Sequence, residues 1–516
     1  MRTIYPKEWV ECHPYDKTDN VDRYYCSLVN KINKVLYKYD ILAGDPIVED
    51  EAYEEAAIII ALWFEDIISQ TGIWQAFTSQ CEKRYGSRLP FYEIDDEDYY
   101  PDEINVEDIR FILWHCLQSR SLGVKVYNPE NQGIEIVAWE VYKILNKEYE
   151  TAPENERLQD FLDLTSLTED DFLEYRNKVD WFYFNSYINI GCSDSYLDSM
   201  EEKMREYREY DDLDPRTFDV LLYSHRVNTA LSGRTPLLAI NAPEYLRIMM
   251  IERGEEPSWG PYMDIESREE SFYLVDSEED DYYVFKDITD EGNTYKVTKK
   301  SMELNTPKLI PGDTYVTSIL FKYGEYWYHN GAMMRYRISE EPEIKEMIDK
   351  LKNELSHTNQ KNDYKNFISV TNGKRFVFLN GDKELQDFLF EKMKYRTAPG
   401  VSMPDMGNGP IMLSASPENG LFILNNLTDC IASPDNPYYN KARAEKHAIN
   451  FLTESGSIPY TLACSLFDNG FLKDAGLNSV NGPEYGREFA RKNGRFMLDY
   501  FFNRNREKDL GDSYSC

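Results

Sequence analysis

The sequence predicts an α+β protein of several domains, and three observations support this prediction. Apolar residues recur at helical spacing up to about residue 255. Short aromatic and β-branched runs follow in residues 262–338, and both patterns are mixed in residues 361–516. The length of 516 residues fits about three domains of roughly 150 residues each. We therefore expect a helical N-terminal region, a small central SH3-like or OB-like β-barrel, and a C-terminal α/β region.

The N-terminal region, residues 1–255, is predicted to be mainly helical. Its clearest apolar stripe follows the spacing i, i+3, i+4, i+7, i+8 and comprises Ala56, Ile59, Ile60, Trp63, Phe64, Ile67 and Ile68. Similar stripes predict helices over Glu107–Leu117 and Ile136–Leu145. A helix over Leu237–Glu252 is expected to stop at Gly254.

The central segment, residues 262–338, contains five short strand-like runs. These runs are Phe272–Asp276, Tyr282–Asp287, Tyr295–Thr298, Thr314–Phe321 and Glu325–Tyr328. Turn residues such as Pro311-Gly312-Asp313 separate them. We predict a closed barrel because closure removes the exposed edges of so small a sheet.

The C-terminal region, residues 361–516, follows a predicted connecting helix over Glu340–Leu355. Its pattern predicts a strand over Phe376–Leu379 and a hairpin from Ile411 to Leu424. Helices are predicted over three further segments, which are Tyr439–Thr453, Ile458–Leu466 and Pro483–Phe502.

The charge balance and the cysteines limit the partners and the compartment. There are 57 Lys+Arg and 92 Asp+Glu residues, so the net charge is −35, and neither nucleic acid nor a membrane is an expected partner. The longest apolar run, Ala56–Phe64, has nine residues, whereas a membrane-spanning helix needs about 20. Eight scattered cysteines without a CxxC pair, and an N-terminus (Met1–Pro6) without a secretory signal, predict a cytoplasmic protein.

Motifs of the common enzyme classes are absent. The sequence has no GxxxxGK[ST], HExxH or GxSxG, and no GxGxxG follows a strand. The adjacent pair Cys12-His13 is interpreted as structural packing. Together these observations favour a protein that is not an enzyme.

The candidate catalytic residues are Asp429 and His447, with Cys430 beside the aspartate. They would converge if the predicted hairpin packs on the helix that follows it, and an aspartate and a histidine together can orient a base. No metal site and no cofactor is predicted, because histidines and cysteines are sparse and not clustered.

Two sets of candidate binding residues lie in the central and C-terminal regions. Tyr326, Trp327 and Tyr328 are aromatic residues of the types that anchor interfaces. Arg487, Arg491 and Arg495 recur at i, i+4 and i+8, so they share one helix face. That face would contact phosphate or an acidic partner, or else acidic residues of the same chain.

Five short segments of the chain carry a resemblance to a known family. They are Ile4-Tyr5-Pro6-Lys7-Glu8-Trp9, His13-Pro14-Tyr15, Pro311-Gly312-Asp313, Tyr326-Trp327-Tyr328-His329-Asn330-Gly331 and Asn436-Pro437-Tyr438-Tyr439. Through these segments the chain resembles the DUF3843 family, uncharacterised proteins of gut Bacteroides and their relatives. The resemblance implies no activity and no catalytic residues. Residues 272–331 are also similar to small barrels appended to bacterial proteins with a Cys-rich metal motif, but that motif is absent here.

The function expected from these observations is that of a binding or regulatory protein, with a protein or small-molecule partner on the aromatic surface of the barrel. Two alternatives remain open. One is an enzyme with an atypical pocket of carboxylates and His447 in the C-terminal region. The other is an acidic decoy that mimics nucleic acid and binds basic proteins.

Overall fold

The computed structural model describes most of the chain. The described residues are 1–39, 51–95, 97–120, 126–208, 215–255, 267–288, 293–302, 308–340, 343–346, 348, 350, 360–395, 407–416, 420–454, 458–479 and 481–502. The chain forms two compact units. The first comprises Met1–Ser121 and Pro129–Leu355, and the second comprises Leu122–Asn128 and Ser356–Cys516. Both units contain helices and a sheet in which antiparallel pairing predominates, so the predicted α+β class is confirmed.

The N-terminal part of the first unit is helical. Its helices are α1 (Pro6–Val10), α2 (Asn20–Tyr39), α3 (Glu51–Ser69), α4 (Ile73–Tyr85), α5 (Val106–Arg120), α6 (Gln132–Glu148), α7 (Glu156–Leu162), α8 (Phe172–Asn185), α9 (Cys192–Arg208), α10 (Pro215–Ser232) and α11 (Ala242–Glu252), with a 3₁₀ turn at Tyr187–Asn189. Among the described helices, none alone is long and apolar enough to cross a bilayer. One pair of helical segments meets this criterion of length and composition only when taken together, Ala52–Ser69 and Ile73–Tyr85, and the two are bent by 94° relative to each other.

The predicted helical stripes correspond to buried faces. The stripe of α3 is in the core, where Ile60, Trp63 and Phe64 are fully buried. The last helix, α11, is shorter than predicted, because its first residue is Ala242 and not Leu237. The side chain of Asn241 caps this helix by accepting a hydrogen bond from the backbone N–H of Glu244 at 2.8 Å, which fixes the start five residues later than the apolar pattern suggests.

The central part of the first unit is a six-stranded sheet. Its strands are β1 (Ser267–Glu278), β2 (Tyr282–Asp287), β3 (Thr294–Thr298), β4 (Thr314–Tyr323), β5 (Tyr326–His329) and β6 (Met334–Arg337), with a 3₁₀ turn at Lys299–Ser301. The strand order is β1-β2-β3-β5-β4-β6, and β1 also pairs with β4, so the pairings return to their first strand. Strand β6 was not predicted.

The side chains inside the sheet form one apolar core. Tyr273, Phe285, Val297 and Val316 are buried there together with Leu320. The predicted connecting helix over 340–355 is described at residues 343–346, 348 and 350, and residues 351–355 lie outside the described part of the chain.

The second unit is built around a three-stranded antiparallel sheet in the order β7-β8-β9, formed by Phe376–Asn380, Pro410–Ser416 and Gly420–Leu424. Its helices are α12 (Gln360–Val370), α13 (Gly381–Gln386), α14 (Lys441–His447), α15 (Asn450–Thr453), α16 (Tyr460–Asp468) and α17 (Pro483–Phe502), with a π-helical turn at Asp387–Lys392 and a 3₁₀ turn at Thr428–Cys430. The predicted hairpin is present as β8 and β9, and its residues 417–419 lie outside the described residues. The single helix predicted over Tyr439–Thr453 is two helices, α14 and α15.

Candidate functional site

A cleft of about 530 Å³ lies in the first unit where the ends of α3, α4, α7 and α11 meet. We call it the polar cleft, because carboxylates, amides and a guanidinium make up most of its lining. Its acidic residues are Asp66, Asp102, Asp160, Asp163, Glu252 and Glu255. Gln70, Gln75, Gln159 and Arg253 also line it, together with Ile67, Gly72 and Pro101.

The turn between α3 and α4 is held by Asp66, which is buried at the base of the polar cleft. Its carboxylate accepts hydrogen bonds from the backbone N–H groups of Ile73 and Trp74, at 3.2 and 2.8 Å. The hydroxyls of Tyr187, at 2.6 Å, and of Thr71 donate to it as well. Burial raises the pKa of Asp66, and these donors oppose the rise by stabilising the charged form. Asp66 therefore caps the start of α4 and shapes the cleft.

Gly72 lets the side chain of Arg253 lie close to the same turn. Its φ is +83°, and a Cβ atom there would be only 2.9 Å from Cγ of Arg253. A larger residue would therefore be strained by its backbone and would displace the arginine.

The end of α11 brings three charged side chains to the polar cleft. Glu252 accepts a hydrogen bond from Ser79 Oγ at 2.6 Å and pairs with Lys83 Nζ at 3.2 Å. Arg253 pairs with Glu255 through its Nη2 atom, and its side chain is 12% exposed. The Nε atom of Arg253 and the Oε2 atom of Glu255 are buried and have no hydrogen-bond partner among the described residues.

The end of α7 supplies two more carboxylates. Asp163 accepts hydrogen bonds from the backbone N–H and the hydroxyl of Thr165, at 2.8 and 2.6 Å. Burial alone would raise the pKa of Asp163, but these donors and the charge of Arg253 lower it below its ordinary value. Asp160 is exposed and makes no hydrogen bond or ion pair within the described part of the chain, and the same holds for Asp102 on the loop before α5.

A buried ion pair lies close to the polar cleft. His13 Nε2 is 2.8 Å from Glu65 Oε2, and the other oxygen of Glu65 accepts a hydrogen bond from Asn155 Nδ2 at 2.9 Å. The small cavity beside this pair has a volume of about 10 Å³, which is room for about one water molecule. Burial raises the pKa of the neighbouring Cys12 thiol to about 12, so this cysteine is a neutral thiol at neutral pH and His13 is bound to Glu65 instead of activating it.

The carboxylate of the candidate catalytic residue Asp429 pairs with an arginine, not with the other candidate, His447. Asp429 Oδ2 is 3.2 Å from Arg443 Nη1. His447 is exposed near the end of α14, and no hydrogen bond or ion pair joins it to Asp429 in the described residues. Burial, followed by the charge of Asp429, raises the pKa of the Cys430 thiol to about 11.

Of the three candidate aromatic anchors, Tyr326 and Trp327 are partly exposed and Tyr328 is buried. Tyr328 is 5% exposed, its ring centroid is 4.5 Å from that of Phe172, and its hydroxyl donates to the backbone oxygen of Glu169 at 3.0 Å. Trp327 is half-buried and packs against the core of the sheet. Tyr326 is half-buried on the same side of β5 as Tyr328, because side chains alternate along a strand.

The three candidate arginines each lie near an acidic residue of the second unit. The nitrogen-to-oxygen distances are 3.8 Å for Arg487 to Glu445, 3.9 Å for Arg491 to Glu488 and 3.4 Å for Arg495 to Asp468. This geometry favours the alternative in which the basic face pairs with acidic residues of the same chain. In the described part of the chain, no three His, Cys, Asp or Glu side chains are close enough to hold a metal ion.

Sequence reasoning missed the polar cleft, because its residues come from segments that extend from residue 66 to residue 255. One sequence signal could have indicated it. Asp66, Asp160 and Glu252 each lie in the last turn of a helix that has no basic residue there, which is the end where acids are unfavourable.

The comparisons with known proteins give one match. A family model described as a protein of unknown function (DUF3843) matches residues 3–299 and 328–503. Residues 300–327 are outside the match, so Pro311-Gly312-Asp313 and Tyr326-Trp327 are not part of it. No curated protein and no solved structure matches the chain.

Proposed function

The chain belongs to the DUF3843 family, and from that premise we propose that it is a binding protein whose ligand site is the polar cleft. The resemblance predicted from the sequence is thereby confirmed. The observation that carries the proposal is the cleft volume of about 530 Å³, because small-molecule sites typically measure about 300–1,000 Å³.

The lining of the polar cleft supports binding more than covalent catalysis. No serine, cysteine or histidine is among its lining residues, so carboxylates are the only side chains of the lining that could act as nucleophile or base. Its most buried carboxylate, Asp66, is already occupied by four hydrogen-bond donors. The remaining polar groups can orient a ligand without reacting with it.

We further interpret the central sheet as a small SH3-like or OB-like barrel. This interpretation is supported by the pairing of β1 with both β2 and β4 and by the shared core inside the sheet. A cytoplasmic location is supported by the seven cysteines that the structure describes, since no disulfide bond joins them.

A protein partner on the sheet is the second candidate function. The half-buried rings of Tyr326 and Tyr282 have centroids 5.7 Å apart, and Lys296 Nζ is 5.4 Å from the centroid of Tyr282. Aromatic side chains are enriched in interfaces. A Tyr326→Ala variant that remains folded and recovers the same partner from lysate as the wild type would contradict this candidate.

The test of the principal proposal is a thermal-shift screen with small polar cations, anions and neutral polyols, with hits confirmed by calorimetry. We compare the wild type with Asp160→Trp, which places a large side chain at the exposed rim of the polar cleft. Glu201→Trp, on the exposed surface of α9, is the matched control.

We expect a ligand that raises the melting temperature of the wild type and of Glu201→Trp, and that leaves Asp160→Trp unchanged. A ligand that stabilises all three proteins equally would bind elsewhere and would overturn the proposal. The absence of any binder in the screen would also overturn it.

A further inference from the structure

We infer that the polar cleft selects a small organic cation, a molecule with protonated amino or guanidino groups. This inference rests on the proposed function, since it names the chemical class of the ligand for the same site. Three features of the cleft support it.

The first feature is the position of carboxylates at three helix ends. The carbonyl end of a helix carries a partial negative charge, so an acid in the last turn is destabilising and a base is favourable. Helices α3, α7 and α11 all end at the polar cleft, each has an acid in its last turn, and none has a base there. These ends therefore add a negative potential to that of Asp160 and Glu252, and a bound cation would offset it.

The second feature is the pair of polar atoms that the protein leaves unsatisfied. Glu255 Oε2 is a buried acceptor and Arg253 Nε is a buried donor, and neither has a hydrogen-bond partner among the described residues. Both residues line the cleft. Buried polar atoms normally have partners. An ammonium group of a bound cation would donate to Glu255 Oε2 and satisfy this acceptor.

The third feature is the surrounding charge. Residues 1–260 contain 26 Lys+Arg and 52 Asp+Glu, so most of the net negative charge belongs to the part of the chain that contains the polar cleft. Such a field raises the local concentration of cations and repels anions. The one arginine of the lining is already paired with Glu255, which further disfavours an anionic ligand.

Other ligand classes fit the lining less well. No aromatic side chain lines the cleft, so neither an apolar ligand nor a sugar would find a stacking surface. The described residues offer no group of three or more ligands for a metal ion. An organic cation needs no such convergence, because separate carboxylates can each accept one of its hydrogen bonds.

The test uses three probes of equal chain length and different charge, namely diaminobutane, butanediol and succinate, together with Mg²⁺ alone. Binding to the full-length protein is measured by isothermal titration calorimetry. The variant is Asp102→Asn/Asp160→Asn, since both carboxylates are exposed and lack partners in the described residues. The control is Asp198→Asn/Glu201→Gln, which makes the same change of charge on the exposed surface of α9.

We expect diaminobutane to bind the wild type and the control with similar affinity. The dissociation constant should increase about tenfold or more in Asp102→Asn/Asp160→Asn, and binding should weaken as salt is raised from about 0.05 to about 0.3 M. Equal losses in the variant and the control would show non-specific attraction to an acidic surface and would overturn the inference.

The failure of this inference is distinguishable from the failure of the proposed function. Suppose that butanediol, succinate or Mg²⁺ binds in preference to diaminobutane and that Asp160→Trp abolishes this binding. The polar cleft is then a ligand site, but its ligand is not an organic cation. If diaminobutane binds Asp160→Trp as it binds the wild type, the site itself is wrong. If none of the four probes binds the wild type, the inference is overturned.

Discussion

His13 and Glu65 form an ion pair inside the core of the first unit, with Nε2 and Oε2 2.8 Å apart and side chains that are 1% and 0% exposed. The Nδ1 atom of the same ring is 3.0 Å from the backbone oxygen of Trp9. The pair therefore connects the end of α1 to α3. Breaking it by removing one partner would leave the other charge buried without compensation.

This pair makes stability depend on pH. Burial lowers the pKa of His13, but the charge of Glu65 and the hydrogen bond to it outweigh burial and raise the pKa above 6.5. The native state therefore binds a proton more tightly than the unfolded state. The stabilisation is complete below pH 6.5 and is lost as the pH rises through the raised pKa of His13.

We expect His13→Gln to lower the free energy of unfolding by about 3–5 kcal/mol at about pH 6 and to reduce its decline at higher pH. Urea denaturation across this pH range measures both effects. His447→Gln, which changes an exposed histidine, is the control and should not cause a comparable loss in the free energy of unfolding. An unchanged slope in His13→Gln would contradict the prediction.

Asp108 gives a second pH dependence with the same sign. It is completely buried in α5, and burial raises its pKa from 3.8 to about 7 although Asn105 and Tyr99 donate hydrogen bonds to it. Because the native state holds this proton more tightly, stability should fall as the pH rises from 3.8 to about 7. Asp108→Asn should make the free energy of unfolding vary less with pH across that window. Asp98→Asn, at an exposed carboxylate, is the matched control. A slope retained in Asp108→Asn would refute the assignment.

The hydrogen bond of the Tyr328 hydroxyl, on β5, is expected to stabilise the folded protein. Tyr328→Phe removes the hydrogen bond to the backbone oxygen of Glu169 and keeps the ring against Phe172. We expect a loss of about 0.5–1.5 kcal/mol in the free energy of unfolding, measured by urea denaturation. Tyr326→Phe changes a half-buried hydroxyl on the same side of the strand and should have no measurable effect. Equal losses in the two variants would contradict the prediction.

Local patterns predicted much of the fold. Helix α17 has the bounds Pro483–Phe502 that its sequence predicts, and the stripe of α3 is buried as expected. Both features depend on residues within a few turns of each other, which the helical period reveals directly.

Contacts between distant residues could not be predicted in this way. His13 and Glu65 are separated by 52 positions, and no spacing rule links them. The sequence also could not predict that Tyr328 faces the helices. Alternation along β5 shows which residues share a face of the strand, but not which face packs on the helices. The polar cleft depends on both kinds of information, since several helix ends must first pack together.

Two hydrogen bonds join the sheet of the first unit to the loop before α8. Each has a side-chain donor in the sheet and a backbone acceptor in the loop, so mutation affects the two partners differently. The hydroxyls of Tyr323 and Tyr328 donate to the backbone oxygens of Thr168 and Glu169, both at 3.0 Å. Every residue carries a backbone oxygen, so a change of side chain at position 169 leaves the acceptor in place. A change of either tyrosine removes the donor. Neutral drift over many generations should therefore scatter substitutions along the loop and leave the two tyrosines of the sheet in place.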